Sequence, residues 1–415
     1  MWSCKFRIYP TKEQEIFLAK QFGGVRFIYN YLLSRSNEVY EKEKRTIHIN
    51  DLKKEIPLLK EDKSWLKEIN SQSLQEATLN LGKARERFLK KKGGRPRFKK
   101  KDAKQSCTMP QHFFIKKSKR DNQFLYIPKL KSGIKIKINR ELVGESKRAV
   151  ITKTYTGKYF TSITCDVKKE DISKSKNSRE ASSEIGIDLG VTSFITTSNG
   201  EKILYPRFMK TSLKKVARGS RSLSRKKKGS NNRKKAKLKL AKIHEKIVNK
   251  RNAFIHETSF ALINENQVIY AEDLHVKGMM RNHCLARAIA DTAMGEFVRQ
   301  VKYKAEWRDR KFIQIGRFEP SSKMCSTCKT INKELKLQHR TWQCQACGEV
   351  HDRDVNAAIN ILKIGQKMSL GKDKPEVKPV ERSTKVFSNK KKQVGSMKQE
   401  PISNVRIRMH GNLLP

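Results

Sequence analysis

Four cysteines set the tightest restriction on what this chain can fold into. Cys325 and Cys328 stand two residues apart, Cys344 and Cys347 repeat that spacing, and fifteen residues separate the pairs. Each pair lets two thiolates reach one metal from a tight knuckle, and the intervening segment closes a tetrahedron. Cys4, Cys107, Cys165 and Cys284 are scattered singly, as reduced thiols are. In a reduced compartment the clustered four point to zinc, not disulfides. Sulfur at all four positions leaves no place for water, so this zinc is expected to fold a module and not to catalyse.

A second restriction is electrostatic. The 415 residues include 93 Lys+Arg against 41 Asp+Glu, a net charge of +52. Such an excess opposes compaction and points to a polyanionic partner, nucleic acid before a membrane surface. No apolar run is long enough to span a bilayer, and the opening MWSCKFRIYP lacks a signal-peptide core. The chain is therefore expected in the cytoplasm, near the nucleoid, with no membrane partner.

Hydrophobic periodicity divides the rest. Cys4, Phe6 and Ile8 alternate with polar residues and predict a strand over 1–10. Thr11 with Gln14 makes a capping box and opens a helical region, 11–95. Gly93, Gly94 and Pro96 break it, and short strands with turn glycines predict a small barrel over 96–170, which the first strand joins. A polar linker (171–183) precedes an α/β domain (184–320), the cysteine module (321–349), a last helix (350–365) and a basic tail without regular structure (366–415). Between Lys210 and Arg251 the only acid is Glu245. Its RSLSRKKKGSNNRKKAK part reads as too charged to fold alone and suited to phosphate contacts.

The stretch EIGIDLGVTSFITTSNG, 184–200, admits two readings. An aspartate on a strand followed by a glycine turn opens the phosphate loop of actin-like ATPases, and it also holds catalytic metal in nucleases of the RNase H class. The ATPase reading needs a second Asp-x-Gly, and none occurs. Asp188 therefore reads as a metal ligand. Glu272 ends the apolar run VIYAE, and Asp354 precedes the helical segment VNAAINIL. Carboxylates at adjacent strand ends and a helix start can hold two Mg²⁺ or Mn²⁺ ions roughly 3.5–4 Å apart. Asp352 could exchange roles with Asp354 as helix cap, Asp273 adjoins Glu272, and His275 and His351 read as surface or supporting residues.

These residues, with GIDLG, YAEDL, EPSSKMCSTC, CQACGEVHDRDVNAAINIL, the opening KFRIYPTKEQE, GRPRFKKK and the tail SMKQEP, resemble the TnpB family of transposon-encoded proteins, also called OrfB. The resemblance spans nearly the whole chain. It implies an RNA-guided DNA endonuclease related to type V CRISPR effectors, with a guide RNA and a double-stranded DNA target beside a short protein-read motif. It implies a multidomain α/β fold: an RNase H-like RuvC nuclease domain with an inserted zinc ribbon, and a wedge β-barrel interrupted by a helical recognition insertion. Asp188, Glu272 and Asp354 would take the catalytic Asp-Glu-Asp roles, and Cys325, Cys328, Cys344 and Cys347 the zinc. Two departures stand out: Lys329 where glycine is usual, and Asp273 where many members carry asparagine. The nucleic-acid channel is expected to use Arg95, Arg97, Lys99, Lys100, Arg225, Lys226, Lys227, Arg233 and Lys234. A guided DNA-binding protein with a dead site and a strand-transferring transposase are the competing readings. The sequence leaves the guide, the adjacent motif and the oligomeric state unread.

Overall fold

Strand β1 (Trp2–Tyr9) buries Cys4, Phe6 and Ile8 on one face. It lies at the middle of a seven-stranded antiparallel sheet, between β5 (Ile134–Lys137) and β7 (Tyr159–Asp166). The remaining strands are β2 (Gln105–Met109), β3 (Phe114–Lys117), β4 (Gln123–Tyr126) and β6 (Glu145–Lys153). The order is β2-β6-β7-β1-β5-β4-β3. Strands β2 and β3 end the sheet unpaired with each other, so the expected barrel is an open half-barrel. The computed structural model describes residues 2–118, 121–167, 183–317, 319–336 and 338–369. Most of the expected linker and the tail beyond Ser369, SMKQEP included, lie outside them.

Between β1 and β2 the chain inserts three helices, α1 (Lys12–Glu43), α2 (Ile49–Asp62) and α3 (Ser71–Leu89), and a 3-10 turn (Ser64–Glu68). The capping box at the start of α1 forms: Thr11 N–H donates to Gln14 Oε1 at 3.0 Å, and Gln14 N–H to Thr11 Oγ1 at 3.4 Å. Gln14 Nε2 also donates to Ser132 Oγ and the Gly133 carbonyl, which pins the helix start to the loop before β5. One hydrophobic core runs through helices and sheet, from Leu18, Phe22 and Ile28 to Leu125, Ile151 and Ile163.

The second sheet has the order β10-β9-β8-β11-β12, formed by β8 (Ser183–Asp188), β9 (Ile195–Thr197), β10 (Lys202–Ile203), β11 (Asn266–Glu272) and β12 (Lys311–Ile315). Strands β8, β11 and β12 are parallel, and β9 and β10 run antiparallel. Between β10 and β11 come α4 (Phe208–Ser224) and α5 (Asn231–Glu265). The charged segment expected not to fold alone is thus a helical hairpin. Two acids hold it: buried Asp291, from outside the hairpin, accepts from Met209 N–H at the start of α4 and from Arg251 on α5, and the hairpin's own Glu245 pairs with Lys158 and Thr156 of the half-barrel.

After β11 follow a short helix α6 (Val276–Met279), α7 (His283–Thr292) and α8 (Met294–Trp307), and the chain closes through the hairpin β13 (Thr341–Gln343) and β14 (Val350–Asp352) into α9 (Arg353–Ser369). Periodicity reads α7 and α8 as one helix; Ala293, at φ 50°, separates them. Helices α5 and α8 cover one face of the second sheet through Ile255, Leu262, Phe297 and Val301, packed on Ile187, Ile269 and Ala271. Strand β11 is buried on both faces, as its apolar run predicts, since Val268 and Tyr270 face Ile361 of α9 on the other side.

Helix α9 lies unusually near the strands. A Cβ on Gly186 of β8 would stand 2.2 Å from the Ala358 carbonyl oxygen, and one on Gly365 would stand 2.1 Å from the Tyr270 ring. Gly365, where the apolar periodicity fades, is a packing contact inside a helix that continues to Ser369. Gly186→Ala is expected to cost about 1–3 kcal/mol by forcing the helix off the sheet. The control Gly295→Ala, where a Cβ meets nothing within 4 Å, is expected to be neutral or stabilising. Urea midpoints of the two variants check this; equal midpoints would refute the close seating.

Candidate functional site

Strand alternation and the seating of α9 decide where the three carboxylates go. Asp188 is two residues beyond Gly186, on the strand face that meets α9, because Ile185 and Ile187 fill the opposite core. Glu272 is two beyond Tyr270, on the same face of β11, and the parallel register Ala271↔Ile187 sets the two strand ends side by side. Asp354 is one helical turn before Ala358, the residue resting on Gly186. All three reach one place beyond the carboxyl ends of β8 and β11.

Asp352 and Asp354 divide two roles that the sequence left open. Asp352 Oδ1 accepts from the backbone N–H groups of Asp354 and Val355, both at 3.1 Å, and its Oδ2 takes Lys202 Nζ at 2.6 Å. It is the helix cap. Although partial burial works against it, the Lys202 hydrogen bond and these backbone donors hold its carboxyl below the usual range. Asp354 is left to face the strands, with Arg340 Nη1 3.3 Å from its Oδ1 and Arg340 Nη2 donating to Thr192 Oγ1 at 3.1 Å. Asp273, beside Glu272, is turned to Arg317 at 2.6 Å.

The site stores negative charge in a poorly solvated place. Burial pushes Asp188 up to about 6, the charge of Asp354 adds to it, and Arg353 and Arg340 offset part. Burial likewise raises Glu272 to about 7, with Asp188 and Asp273 adding repulsion. Carboxylates that raise each other in this way suit a hard divalent cation, which supplies the charge they lack. Among the described residues, the one group of three or more His, Cys, Asp or Glu with ligand atoms all within 4.8 Å of one another is the cysteine cluster. The carboxylates are spread wider, and two ions roughly 4 Å apart, each about 2 Å from its oxygens, accommodate such a spread.

Cysteine geometry is closed. Cys325 Sγ lies 3.7 Å from Cys347 Sγ and Cys328 Sγ 3.5 Å from Cys344 Sγ. A Zn–S tetrahedron with bonds of about 2.3 Å has edges of about 3.8 Å. The second knuckle lies between β13 and β14, so the module's hairpin runs to Asp352, past residue 349. His351 is not a surface residue: it is buried, faces Trp342 across the hairpin, and sets Nε2 3.0 Å from Cys325 Sγ. His275, on the loop after β11, joins neither cluster.

The expected nucleic-acid residues separate into two groups. Arg95, Arg97, Lys100, Arg225, Lys226, Lys227 and Lys234 are exposed. Lys99 holds its ammonium 3.9 Å over the Tyr29 ring while its backbone pairs with Asn30, and Arg233 donates to the carbonyls of Leu223 and Lys226 at the end of α4. Those two also make contacts within the fold, and Lys99 is exposed like the first group. Sequence reasoning missed Arg340 and Lys202, which approach the carboxylates only through the tertiary arrangement, and Thr192, which accepts from Arg340; an arginine between the cysteine pairs was the one available signal.

Comparison with known proteins agrees with this architecture. Family models match residues 162–283 as "Probable transposase", 295–361 as "Cas12f1-like, TNB domain" and 3–45 as "Helix-turn-helix domain". The last segment is here a strand and one uninterrupted 32-residue helix. A Streptomyces pristinaespiralis protein named "Putative RNA-guided DNA endonuclease" is 36% identical over 402 residues, 96% of this chain and 95% of its own length. InsQ of Escherichia coli K12, named likewise, is 30% identical over 87% of this chain and 91% of its own length. A solved Cas12f1–sgRNA–target DNA complex aligns with a TM-score of 0.55 over 85% of this chain and 83% of that one; at 14% identity the likeness is of fold. No helix among the described residues is long and apolar enough to cross a membrane. The match along almost the full length of both curated relatives places the chain in the TnpB (OrfB) family of transposon-associated proteins.

Proposed function

We propose that the protein is an RNA-guided, metal-dependent DNA endonuclease whose RuvC-like, RNase H-type domain cuts DNA matched to a bound guide RNA next to a short protein-read motif. The observation that carries this reading is the meeting of Asp188, Glu272 and Asp354 on one face at the ends of β8, β11 and the start of α9. The names of the two long relatives support the choice of nucleic acids.

In this reading the three carboxylates hold Mg²⁺ or Mn²⁺, which would activate water and stabilise the leaving oxygen when bound. The residues do the rest. Asp352 fixes the start of α9 and thereby the position of Asp354. Arg340 holds that carboxylate and, being half-exposed, offers a guanidinium to an approaching phosphate. Cys325, Cys328, Cys344 and Cys347 hold a structural zinc that keeps Arg340 and Asp352 in place. The exposed cations, Arg95, Arg97 and Lys100 before the half-barrel and Arg225, Lys226, Lys227 and Lys234 on the α4–α5 hairpin, meet phosphates. Guide pairing supplies sequence choice, so these contacts need only track the backbone.

Asp188→Ala is expected to lower guided cleavage by about 10³-fold or more while target binding persists, measured on linear duplex with the co-purified RNA. Unchanged cleavage would remove Asp188 from the site. Strand-transfer products in place of breaks would return the transposase reading.

Metal binding requires ionised carboxylates, so protons compete with it where Glu272 titrates near 7 and Asp188 near 6. The Mn²⁺ concentration for half-maximal binding is expected to rise about tenfold or more between pH ~8 and pH ~6. A metal requirement flat across that range would count against the assignment.

Elemental analysis is expected to find about one zinc per chain. Cys344→Ser is expected to lose it and to lower the melting temperature, since metal binding stabilises such modules directly. A zinc-free wild-type chain of unchanged stability would refute the structural role.

A further inference from the structure

Helix α1 carries two adjacent glycines in its interior, Gly23 and Gly24. Glycine there weakens a helix relative to alanine, so each calls for a reason. Gly24 has one: a Cβ would stand 2.7 Å from Ile69, and its absence lets the chain after the 3-10 turn pack against the helix. Gly23 has none within the chain, since a Cβ there would meet nothing within 4 Å. It opens instead onto a groove of about 400 Å³ between α1 and the 3-10 turn, lined by Lys20, Gly23, Arg26, Phe27, Trp65, Glu68 and Ile69.

The walls of that groove are aromatic and its rim is charged. The Phe27 ring meets Trp65 edge-on at 5.3 Å and Tyr31 nearly parallel at 6.1 Å. Trp65 remains 41% exposed although it belongs to this cluster. Lys20 and Arg26 flank Gly23 at helical spacing of three residues, so both cations border the same opening. Flat rings beside cations in a groove wide enough for a planar ring are the chemistry by which proteins hold unpaired bases, the rings stacking and the cations taking the phosphates. Glu68 adds a selection. It stands at the rim, paired with Lys20 at 2.7 Å. A carboxylate there accepts from a 2′-hydroxyl, which favours ribose over deoxyribose.

We propose that this groove is a socket for one unpaired base of single-stranded RNA, the base lying over Gly23 against Phe27 and Trp65, with Lys20 and Arg26 at the adjoining phosphates. It rests on the reading that the chain holds an RNA, and it adds a base-stacking site beside the basic segment before the half-barrel, to which Arg26 is joined through Gln105. Gly23 is kept free of a side chain so that the base can lie directly on the helix backbone.

The full-length chain, stripped of RNA in high salt, is mixed with a single-stranded RNA of about 12 nucleotides carrying one 4-thiouridine, within the usual site sizes. Ultraviolet crosslinks are mapped by peptide mass spectrometry, and affinities are measured by fluorescence anisotropy. Crosslinks are expected in Lys20–Tyr31 or Ser64–Ile69. Gly23→Leu is expected to weaken binding about 5- to 150-fold, Trp65→Ala comparably, and Gly23→Ala by a smaller factor in the same direction. Gly23→Leu fills open space with a better helix former, so its melting temperature should not fall and lost binding cannot be put down to misfolding. Wild-type binding that persists in Gly23→Leu, with crosslinks elsewhere, overturns the socket and leaves the RNA reading standing. A wild-type chain that binds no RNA overturns both. A DNA of the same sequence that binds and crosslinks equally well overturns the choice of ribose.

Discussion

Everything around the three carboxylates depends on how near α9 comes to the sheet. The backbone of Ala358 rests on Gly186 with no side chain between helix and strand, and Gly365 rests on the Tyr270 ring. Two supports a little under two helical turns apart fix both the height and the direction of the helix. The position of Asp354 relative to Asp188 is then a matter of backbone packing, which cannot be adjusted by rotamers. A carboxylate delivered by a flexible loop would drift from its neighbours to escape repulsion; one delivered by a clamped helix cannot. Burial raises Asp188 and Glu272, Asp354 on the clamped helix adds to the rise of Asp188, and the site therefore suits a cation.

The excess of positive charge is managed by placement. Acids are few, and several of those that matter are anchors: Asp291 between α4 and α5, Glu245 between α5 and the half-barrel, Glu76 with Arg148 between α3 and β6. Each has one side chain that is mostly buried, where a pair fixes position, while most of the other ion pairs lie on the exposed surface and add little. Basic side chains along α4 remain outside, and none of that helix's residues is buried. A hairpin so built keeps its shape by a few interior contacts and leaves its outer face to a polyanion.

What could be read from the sequence was what local pattern decides. The alternation of IGID, the apolar run of β11 and the helix after HDRD placed three carboxylates on recognisable elements, and the cysteine spacing needed no fold at all. The capping box at Thr11 likewise depends on neighbours three residues apart. Arg340 and Lys202 were beyond reach because their partners, Asp354 and Asp352, come close only after the hairpin folds onto the sheet. Helix α2, with Pro57 inside it, falls in the expected helical region but was not delimited there, and Ala293 gave no sign of a left-handed break. Closure of the half-barrel was overread because strand count does not determine whether the end strands meet.

The central place of β1 also affects the order in which the chain can assemble. Trp2 pairs with Cys165 and Arg7 with Lys137, so the first strand to leave the ribosome has no neighbours until the last strands of the half-barrel are made. At elongation rates of about 5–20 residues per second that delay is roughly ten to thirty seconds. During it, the inserted helices, whose contacts are more local, are already complete. The nascent protein thus carries a folded helical body on an unsatisfied edge strand, and translation speed across the half-barrel governs how long that edge stays open to wrong partners.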